Sequence, residues 1–145
     1  MDILNYKVHI NCNKQKVWHT MLDPDTYPLW IKDSWPDSFY EGNWGQNEKI
    51  GFVSASGEGT LVLIEEFKKY EYLLARHIAL LGKGGTTDTD SDFAKNWINQ
   101  TESYKFDEIN GVTELSVEIK AQPDWVKMFD DGWPNALSQL KKLCE

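Results

Sequence analysis

Positive charge is scarce in this sequence: 15 Lys and Arg stand against 23 Asp and Glu, which gives a formal net charge of −8. Binding to nucleic acid or to an anionic membrane surface needs clustered Lys and Arg, so the charge balance argues against both partners. No apolar run approaches the roughly 18 residues of a spanning helix, and no N-terminal stretch resembles a signal peptide. The sequence therefore predicts a cytoplasmic protein without membrane insertion.

Cysteine is also scarce, with Cys12 and Cys144 at opposite ends of the chain. Neither cysteine has the spacing of a metal site, so we expect both to be reduced. The acidic segment Asp88–Asp92 begins like a calcium-binding loop, but the sixth and twelfth positions are Phe93 and Asn99 instead of Gly and Glu. We interpret this segment as a solvated loop, and the sequence predicts neither a metal site nor a cofactor.

Tryptophan, by contrast, is abundant, with seven residues in a chain of 145. The length is that of one domain, predicted to span residues 1–145, and such a domain buries roughly two-thirds of its unfolded surface without disulfides or metals. Trp lines cores and ligand pockets alike because it is large and has one polar atom. Its abundance therefore favours an internal cavity.

The first thirty residues predict a strand followed by two short helices. Apolar and polar residues alternate over positions 4–12, which is typical of a half-buried strand. Asn13 is a suitable N-cap for a helix over Lys14–Leu22. Asp23 and Pro24 then predict the start of a second helix that ends near Trp30.

The middle of the chain predicts antiparallel strands. Residues Trp35–Gly45 resemble a loop, because they contain two Gly and one Pro. Strands are predicted at Gln46–Val53, Gly59–Phe67 and Tyr70–Leu81. The links between these strands are only a few residues long, and short links join antiparallel neighbours.

A Gly- and Asp-rich segment, Gly82–Asp92, is predicted to be a mobile loop. A further strand is predicted over Lys95–Phe106, and it is unusually hydrophilic at residues 99–103. The dipeptide Asn110-Gly111 is a hairpin signal. The last predicted strand ends at Ala121, with strict alternation of apolar and polar residues.

A long amphipathic helix is predicted from Pro123, with a kink at Gly132 and Pro134. Its apolar residues recur at gaps of three and four. One long helix beside an antiparallel sheet is an α+β architecture. A cavity can remain where the helix stands away from the sheet.

Four segments that together span most of the chain match a known order of motifs: Val17–Trp30 (Val-Trp…Asp-Pro…Trp), Gly57–Glu65 (a Gly-x-Gly strand), Tyr104–Ala121 (the last hairpin) and Gly132–Glu145 (Gly-Trp…Leu…Leu). They resemble the START-like, or SRPBCC, superfamily, and within it the small bacterial proteins grouped with the activator of the heat-shock chaperone ATPase (AHSA). The resemblance implies a helix-grip fold, in which a curved antiparallel sheet of about six or seven strands wraps around the C-terminal helix. Members of the superfamily include carriers of hydrophobic ligands, polyketide cyclases, stress proteins and chaperone co-factors.

The ligand site is predicted in the cavity between sheet and helix. A site of this kind has about 300 Å³ or more and is mostly apolar, with few polar groups. Arg76 and His77 point to opposite faces of their strand, so one of them is expected to orient a polar end of the ligand. The loop Gly82–Asp92 is the expected lid. The predicted apolar lining residues are Trp30, Trp35, Phe39, Trp44, Trp97, Met128 and Phe129.

Three functions are therefore considered. The leading hypothesis is binding of a small apolar, aromatic or amphipathic ligand, lipids included, without catalysis. The first alternative is a cyclase- or hydratase-like enzyme that uses His77, Arg76 or Glu102. The second is a chaperone-interaction module of the stress response, with a chaperone as partner.

Overall fold

The computed structural model describes residues 1–145. Two single-turn 3-10 segments, Lys83–Gly85 and Pro123–Trp125, supplement the regular elements. In chain order the elements are β1 (Asp2–Ile10), α1 (Lys14–Leu22), α2 (Tyr27–Ile31), β2 (Phe39–Glu41), β3 (Lys49–Val53), β4 (Gly59–Lys68), β5 (Tyr72–Leu81), β6 (Thr87–Asp88), α3 (Asp92–Trp97), β7 (Thr101–Ile109), β8 (Val112–Ala121) and α4 (Val126–Cys144).

All eight strands form one antiparallel sheet. Seven of them follow the order β1-β8-β7-β5-β4-β3-β2, and β6 pairs with β5. The first strand, β1, forms one edge of the sheet and pairs with β8, so that Asp2 lies opposite Ala121. Helix α4 packs on β1 and against α1 and α2, which places the helices on one face of the sheet. The predicted α+β helix-grip architecture is confirmed.

The N-terminal prediction is confirmed for β1 and α1 and is wrong for the start of α2. The side-chain oxygen of Asn13 accepts a hydrogen bond from the Lys16 N–H at 2.8 Å, which caps α1 at the predicted residue. Asp23, however, ends α1 and does not begin α2. Its carbonyl accepts the N–H of Tyr27 at 2.9 Å, so residues 23–26 form a turn before Pro28 enters α2.

Two predictions in the middle of the chain are corrected. The predicted loop Trp35–Gly45 contains the short strand β2, which pairs with β3 and places Tyr40 opposite Phe52. The predicted strand Lys95–Phe106 is a helix followed by a strand. Ser91 caps that helix, α3, by accepting the Ala94 N–H at 3.1 Å, and β7 begins only at Thr101.

The segment Gly82–Asp92, predicted to be a loop, contains two short elements. It contains a 3-10 turn and the strand β6, which pairs Thr87 and Asp88 with the end of β5. The Asp88 carboxylate accepts the N–H groups of Asp90 and Ser91, both at 3.0 Å. The Asp88 carboxylate therefore closes the turn that leads into α3.

Helix α4 runs without interruption from Val126 to Cys144 through Gly132 and Pro134. The carbonyl of Gly132 accepts a hydrogen bond from Ser34 Oγ at 2.7 Å. The buried face of the helix packs into a single hydrophobic core that also includes the buried face of the sheet. The helix is too polar to span a bilayer, and no other helix here is long enough. Its buried residues are Phe129, Gly132, Trp133, Ala136, Leu137, Leu140 and Cys144.

Candidate ligand-binding cavity

A cavity of about 220 Å³ lies between the sheet and the helices. It is smaller than the roughly 300 Å³ expected of a small-molecule site. Seventeen residues line it, and thirteen of them are hydrophobic. Most of this lining comes from the four helices and from the chain between α2 and β3. These lining residues are Met21, Leu22, Tyr27, Trp30, Ile31, Trp35, Ser38, Trp44, Trp97, Met128, Phe129 and Trp133.

Aromatic rings in this wall pack against one another. Trp133 contacts Trp35 edge-to-face, with ring centroids 5.7 Å apart, and Trp30 at 6.2 Å. On the other side, Trp97 stacks on Phe129 with centroids 6.3 Å apart. Each ring thus restricts the orientation of its neighbours, which gives the cavity a fixed shape.

The sheet closes the cavity with Phe52, Thr60, His77, Glu102 and Tyr104. Buried side chains of β5 alternate along the strand, and His77, which is 2% exposed, lies on the helix-covered face. Its backbone N–H donates to the Gln100 carbonyl at 2.9 Å, which continues the ladder between β5 and β7. His77 and Glu102 are therefore diagonal neighbours on one face of two adjacent strands, within reach of each other.

His77 forms hydrogen bonds through both ring nitrogens. Its Nε2 lies 2.8 Å from Glu102 Oε2, and its Nδ1 lies 2.8 Å from Thr60 Oγ1. The Thr60 hydroxyl also accepts the indole N–H of Trp97 at 2.8 Å. The cavity wall therefore contains a continuous chain of polar groups from Trp97 to Glu102.

The protonation pattern of this chain follows from its donors. Because the Trp97 N–H can only donate, the Thr60 oxygen accepts there and keeps its own proton to donate. Two acceptors lie within its reach, His77 Nδ1 at 2.8 Å and the Ala79 carbonyl at 3.4 Å. When Thr60 donates to the nearer of them, Nδ1, the proton of a neutral imidazole lies on Nε2 and is donated to the Glu102 carboxylate.

Tyr104 completes the polar end. Its hydroxyl donates to Glu102 Oε1 at 3.3 Å. Burial, together with the neighbouring Glu102 carboxylate, holds the pKa of Tyr104 well above its ordinary value. Burial also raises the pKa of Tyr27, although its hydrogen bond to Ser38 opposes the shift. Both phenols therefore remain protonated over the whole physiological pH range.

Seven of the nine predicted site residues line the cavity: Trp30, Trp35, Trp44, His77, Trp97, Met128 and Phe129. The other two, Phe39 and Arg76, do not. Phe39 is 40% exposed and lies on the other face of the sheet, because in the three-residue strand β2 it is Tyr40 that packs against the core. The Arg76 guanidinium points away from the cavity and reaches Glu65 and Asn99, both at 3.2 Å.

Several lining residues were missed in the sequence analysis, above all Tyr27, Tyr104 and Trp133. Tyr104 and Trp133 lie at apolar positions of periodic segments, where a core residue and a cavity residue have the same pattern, and Tyr27 lies in a helix too short to show a period. Thr60 was also missed, although it lies on the same face of β4 as the buried Val62 and Ile64 and alternation along the strand could have indicated it. Glu102 was named only in the enzyme alternative, with His77 and Arg76, and was not predicted as a ligand-binding residue; it does line the cavity.

The expected lid is also corrected, because no residue of Gly82–Asp92 lines the cavity. Gly85 instead borders a groove of about 530 Å³ on the opposite face of the sheet, together with Phe39 and Leu61. Seven residues of the cavity wall are half-buried: Trp35, Ser38, Trp44, Phe52, Thr60, Glu102 and Met128.

Comparison with known proteins gives the fold but no close relative. No protein-family model and no curated protein matches the chain. Among solved structures, the Aha1 dimer from Colwellia psychrerythraea is similar with a TM-score of 0.75 and 15% identity, over 100% of this chain and 97% of that one. CalU16 from Micromonospora echinospora is similar with a TM-score of 0.68 and 13% identity, over 99% of this chain and 76% of that one.

A third similar structure is DynU16, a protein of the dynemicin biosynthetic locus, with a TM-score of 0.71 and 14% identity. The match covers 98% of this chain but only 46% of DynU16, so the chain spans about half of that protein's length. Identities of this size establish a shared fold and leave function open. The chain has a helix-grip fold, which it shares with the Aha1 protein from Colwellia psychrerythraea and with CalU16.

Proposed function

We propose that this protein binds a small, largely aromatic molecule in the cavity between the sheet and α4. The observation that carries the proposal is the composition of the wall: thirteen of the seventeen lining residues are hydrophobic, and three of the four polar ones, Thr60, His77 and Glu102, form one polar end. Small-molecule sites commonly have an apolar lining with a few placed polar groups. The aromatic rings would hold the body of the ligand, and the polar end would orient it.

The size of the cavity limits the ligand. An apolar cavity of about 150 Å³ accommodates benzene. A volume of about 220 Å³ is therefore suited to a single ring with a short substituent. A long acyl chain does not fit without rearrangement, so lipid binding is disfavoured relative to compact aromatic ligands.

A ligand panel tests this proposal. Phenol, indole, naphthalene and palmitate would be titrated into the protein, with binding followed by Trp fluorescence and by amide chemical shifts. We expect phenol, the single-ring ligand of the panel, to shift the amides of Trp97, Glu102 and Phe129, and palmitate to leave them unchanged. Phe129→Leu should weaken binding, whereas Phe93→Leu, at an exposed aromatic residue outside the cavity, should not. Absence of shifts at the cavity with every ligand would contradict the proposal.

A second candidate function, acid–base catalysis, is favoured by the hydrogen bond of 2.8 Å between His77 and Glu102. A His oriented by a carboxylate inside a ligand cavity can accept or donate a proton. With a ligand from the panel, turnover would be sought by mass spectrometry of the recovered compound. Catalysis would be supported by a product that the unaltered protein forms and that His77→Gln, which still binds the ligand, does not form. Recovery of unchanged ligand from the unaltered protein would contradict catalysis and leave binding as the proposed function.

The chaperone partner stays a prediction. The likeness to an Aha1 dimer supports it only through the shared fold, at 15% identity. No residue of this chain adds a specific argument for chaperone binding.

A further inference from the structure

We infer that the ligand of this cavity is a small organic cation, such as a protonated or quaternary amine on a compact apolar body. The inference rests on the proposed function, because it concerns the charge of the ligand that the cavity binds. It is based on three features of the lining: its formal charges, the hydrogen bonds of His77, and the number of aromatic rings.

The formal charges of the lining are unbalanced. Glu102 is the only carboxylate among the seventeen lining residues, and none of them is Lys or Arg. The nearest guanidinium along β5, that of Arg76, is on the other face of the sheet and is paired with Glu65. Only 14% of the Glu102 side-chain surface is accessible, so solvent compensates its charge poorly.

His77 is the one lining side chain that could neutralise Glu102. The Thr60 hydroxyl, which accepts from Trp97, has its own proton available for His77 Nδ1, 2.8 Å away. In that arrangement the imidazole carries one proton, on Nε2, and is uncharged. The polar end of the cavity then has a net charge of −1, and a ligand cation would supply the missing counter-charge.

The aromatic lining is suited to the same chemistry. Nine of the seventeen lining residues are Phe, Tyr or Trp. The faces of these rings carry partial negative charge, and a cation near a Trp face gains about 0.5–2 kcal/mol, more when water is excluded. A cage of several aromatic rings beside one carboxylate is a common way to bind an ammonium group. Ligands that carry a carboxylate, fatty acids included, would meet a like charge and no basic side chain.

Phenyltrimethylammonium, tert-butylbenzene and benzoate test the inference, because they share a ring and have similar size but differ in charge. Each would be titrated by calorimetry and by amide shifts into the unaltered protein, Glu102→Gln and Glu118→Gln. The Glu118 variant is the matched control: it removes one negative charge from β8 at a residue outside the cavity lining. Glu102→Asp, which keeps the charge, is a second variant in case the amide disturbs folding.

We expect phenyltrimethylammonium to bind to the unaltered protein and to bind about tenfold more weakly to Glu102→Gln. Its affinity should change little in Glu118→Gln. In Glu102→Asp the loss of affinity should be smaller than in Glu102→Gln. The affinity for tert-butylbenzene should change less than twofold in every variant, and benzoate should not bind. If tert-butylbenzene binds while the cation does not, or if both respond alike to Glu102→Gln, the charge inference is wrong and the binding function stands. If none of the three, and none of the neutral aromatic panel, shifts the cavity amides, both proposals are wrong.

Discussion

Trp35 lies so close to the backbone of Gly132 that a β-carbon built at position 132 would be 2.6 Å from the Cζ2 atom of the indole. The neighbouring Ser34 hydroxyl donates to the Gly132 carbonyl at 2.7 Å. The segment after α2 is thus held against α4 at the one helical position that has no side chain. Since Trp35 lines the cavity, this contact fixes part of the cavity wall.

Gly132→Ala should therefore destabilise the protein, although Ala is the better helix former by about 1 kcal/mol. The added methyl group would displace the indole of Trp35, and overpacking of this kind costs about 1–3 kcal/mol. Urea denaturation would measure the change in free energy of unfolding. In a Trp35→Ala background the methyl group has room, so the same substitution should be neutral or stabilising there. Stabilisation by Gly132→Ala in the unaltered protein would mean that Trp35 does not pack on the helix.

The buried face of α4 gives a second prediction. Leu137 and Leu140 are at most 3% exposed, whereas Leu143 is 41% exposed. Removal of a buried Leu side chain costs about 2–5 kcal/mol, so Leu137→Ala and Leu140→Ala should each have this effect on the free energy of unfolding. Leu143→Ala should change it by about 0.5 kcal/mol or less. Equal effects at all three positions in denaturation experiments would contradict the packing of the helix on the sheet.

The two cysteines, which are 132 residues apart, lie beside each other at the end of the core. The Asn11 N–H donates to Glu145 Oε2 at 2.8 Å, which brings the end of α4 to the end of β1. Burial, and then the neighbouring Cys144, raises the pKa of the Cys12 thiol from 9.0 to about 11. Burial also raises the pKa of Cys144, and its hydrogen bonds to Thr20 and Cys12 oppose that shift.

Both thiols should therefore react slowly with a disulfide reagent such as DTNB in the folded protein at pH 8, because the thiolate is the reactive form. The rate should rise about tenfold per pH unit up to pH 10, and the protein unfolded in urea should react at once. The pKa of Cys12 is higher in the folded than in the unfolded chain. Its contribution to stability is thus fully present below about pH 9 and is lost as the pH rises towards 11. Fast reaction of the folded protein at pH 8 would contradict the burial of the thiols.

Much of the fold could be predicted from local sequence, because the signals are carried by residues close together in the chain. Alternation in β1, the Asn13 cap and the Asn110-Gly111 turn each report a local hydrogen-bonding pattern, and the structure has all three. Helix α3 was missed although Ser91 is a suitable N-cap, since the helix is only six residues long and shows less than two turns of periodicity.

The candidate site could be predicted only in part, because it depends on which face of the sheet each residue occupies. Arg76 and His77 are adjacent, and either could have faced the cavity until the buried face of β5 was known. The pairing of Glu102 with His77 depends on the register of β7 against β5, which places Glu102 opposite Ala75. A shift of that register by one residue would turn Glu102 to the other face, and the local sequence does not determine it.

Thr60 provides the last prediction, since its hydroxyl is shared by two buried partners. Thr60→Val preserves the shape of the side chain but leaves the Trp97 N–H and His77 Nδ1 without their hydrogen-bond partner. Each unpaired buried group costs about 1–3 kcal/mol, so the loss of two partners should lower the free energy of unfolding by about 2–6 kcal/mol. Thr89→Val, at an exposed position, is the matched control and should change it by about 0.5 kcal/mol or less. The 15N shifts of the His77 ring should also move, because the tautomer is no longer fixed by Thr60. A variant as stable as the unaltered protein, with unchanged ring shifts, would show that the Thr60 hydroxyl does not hold the polar end of the cavity together.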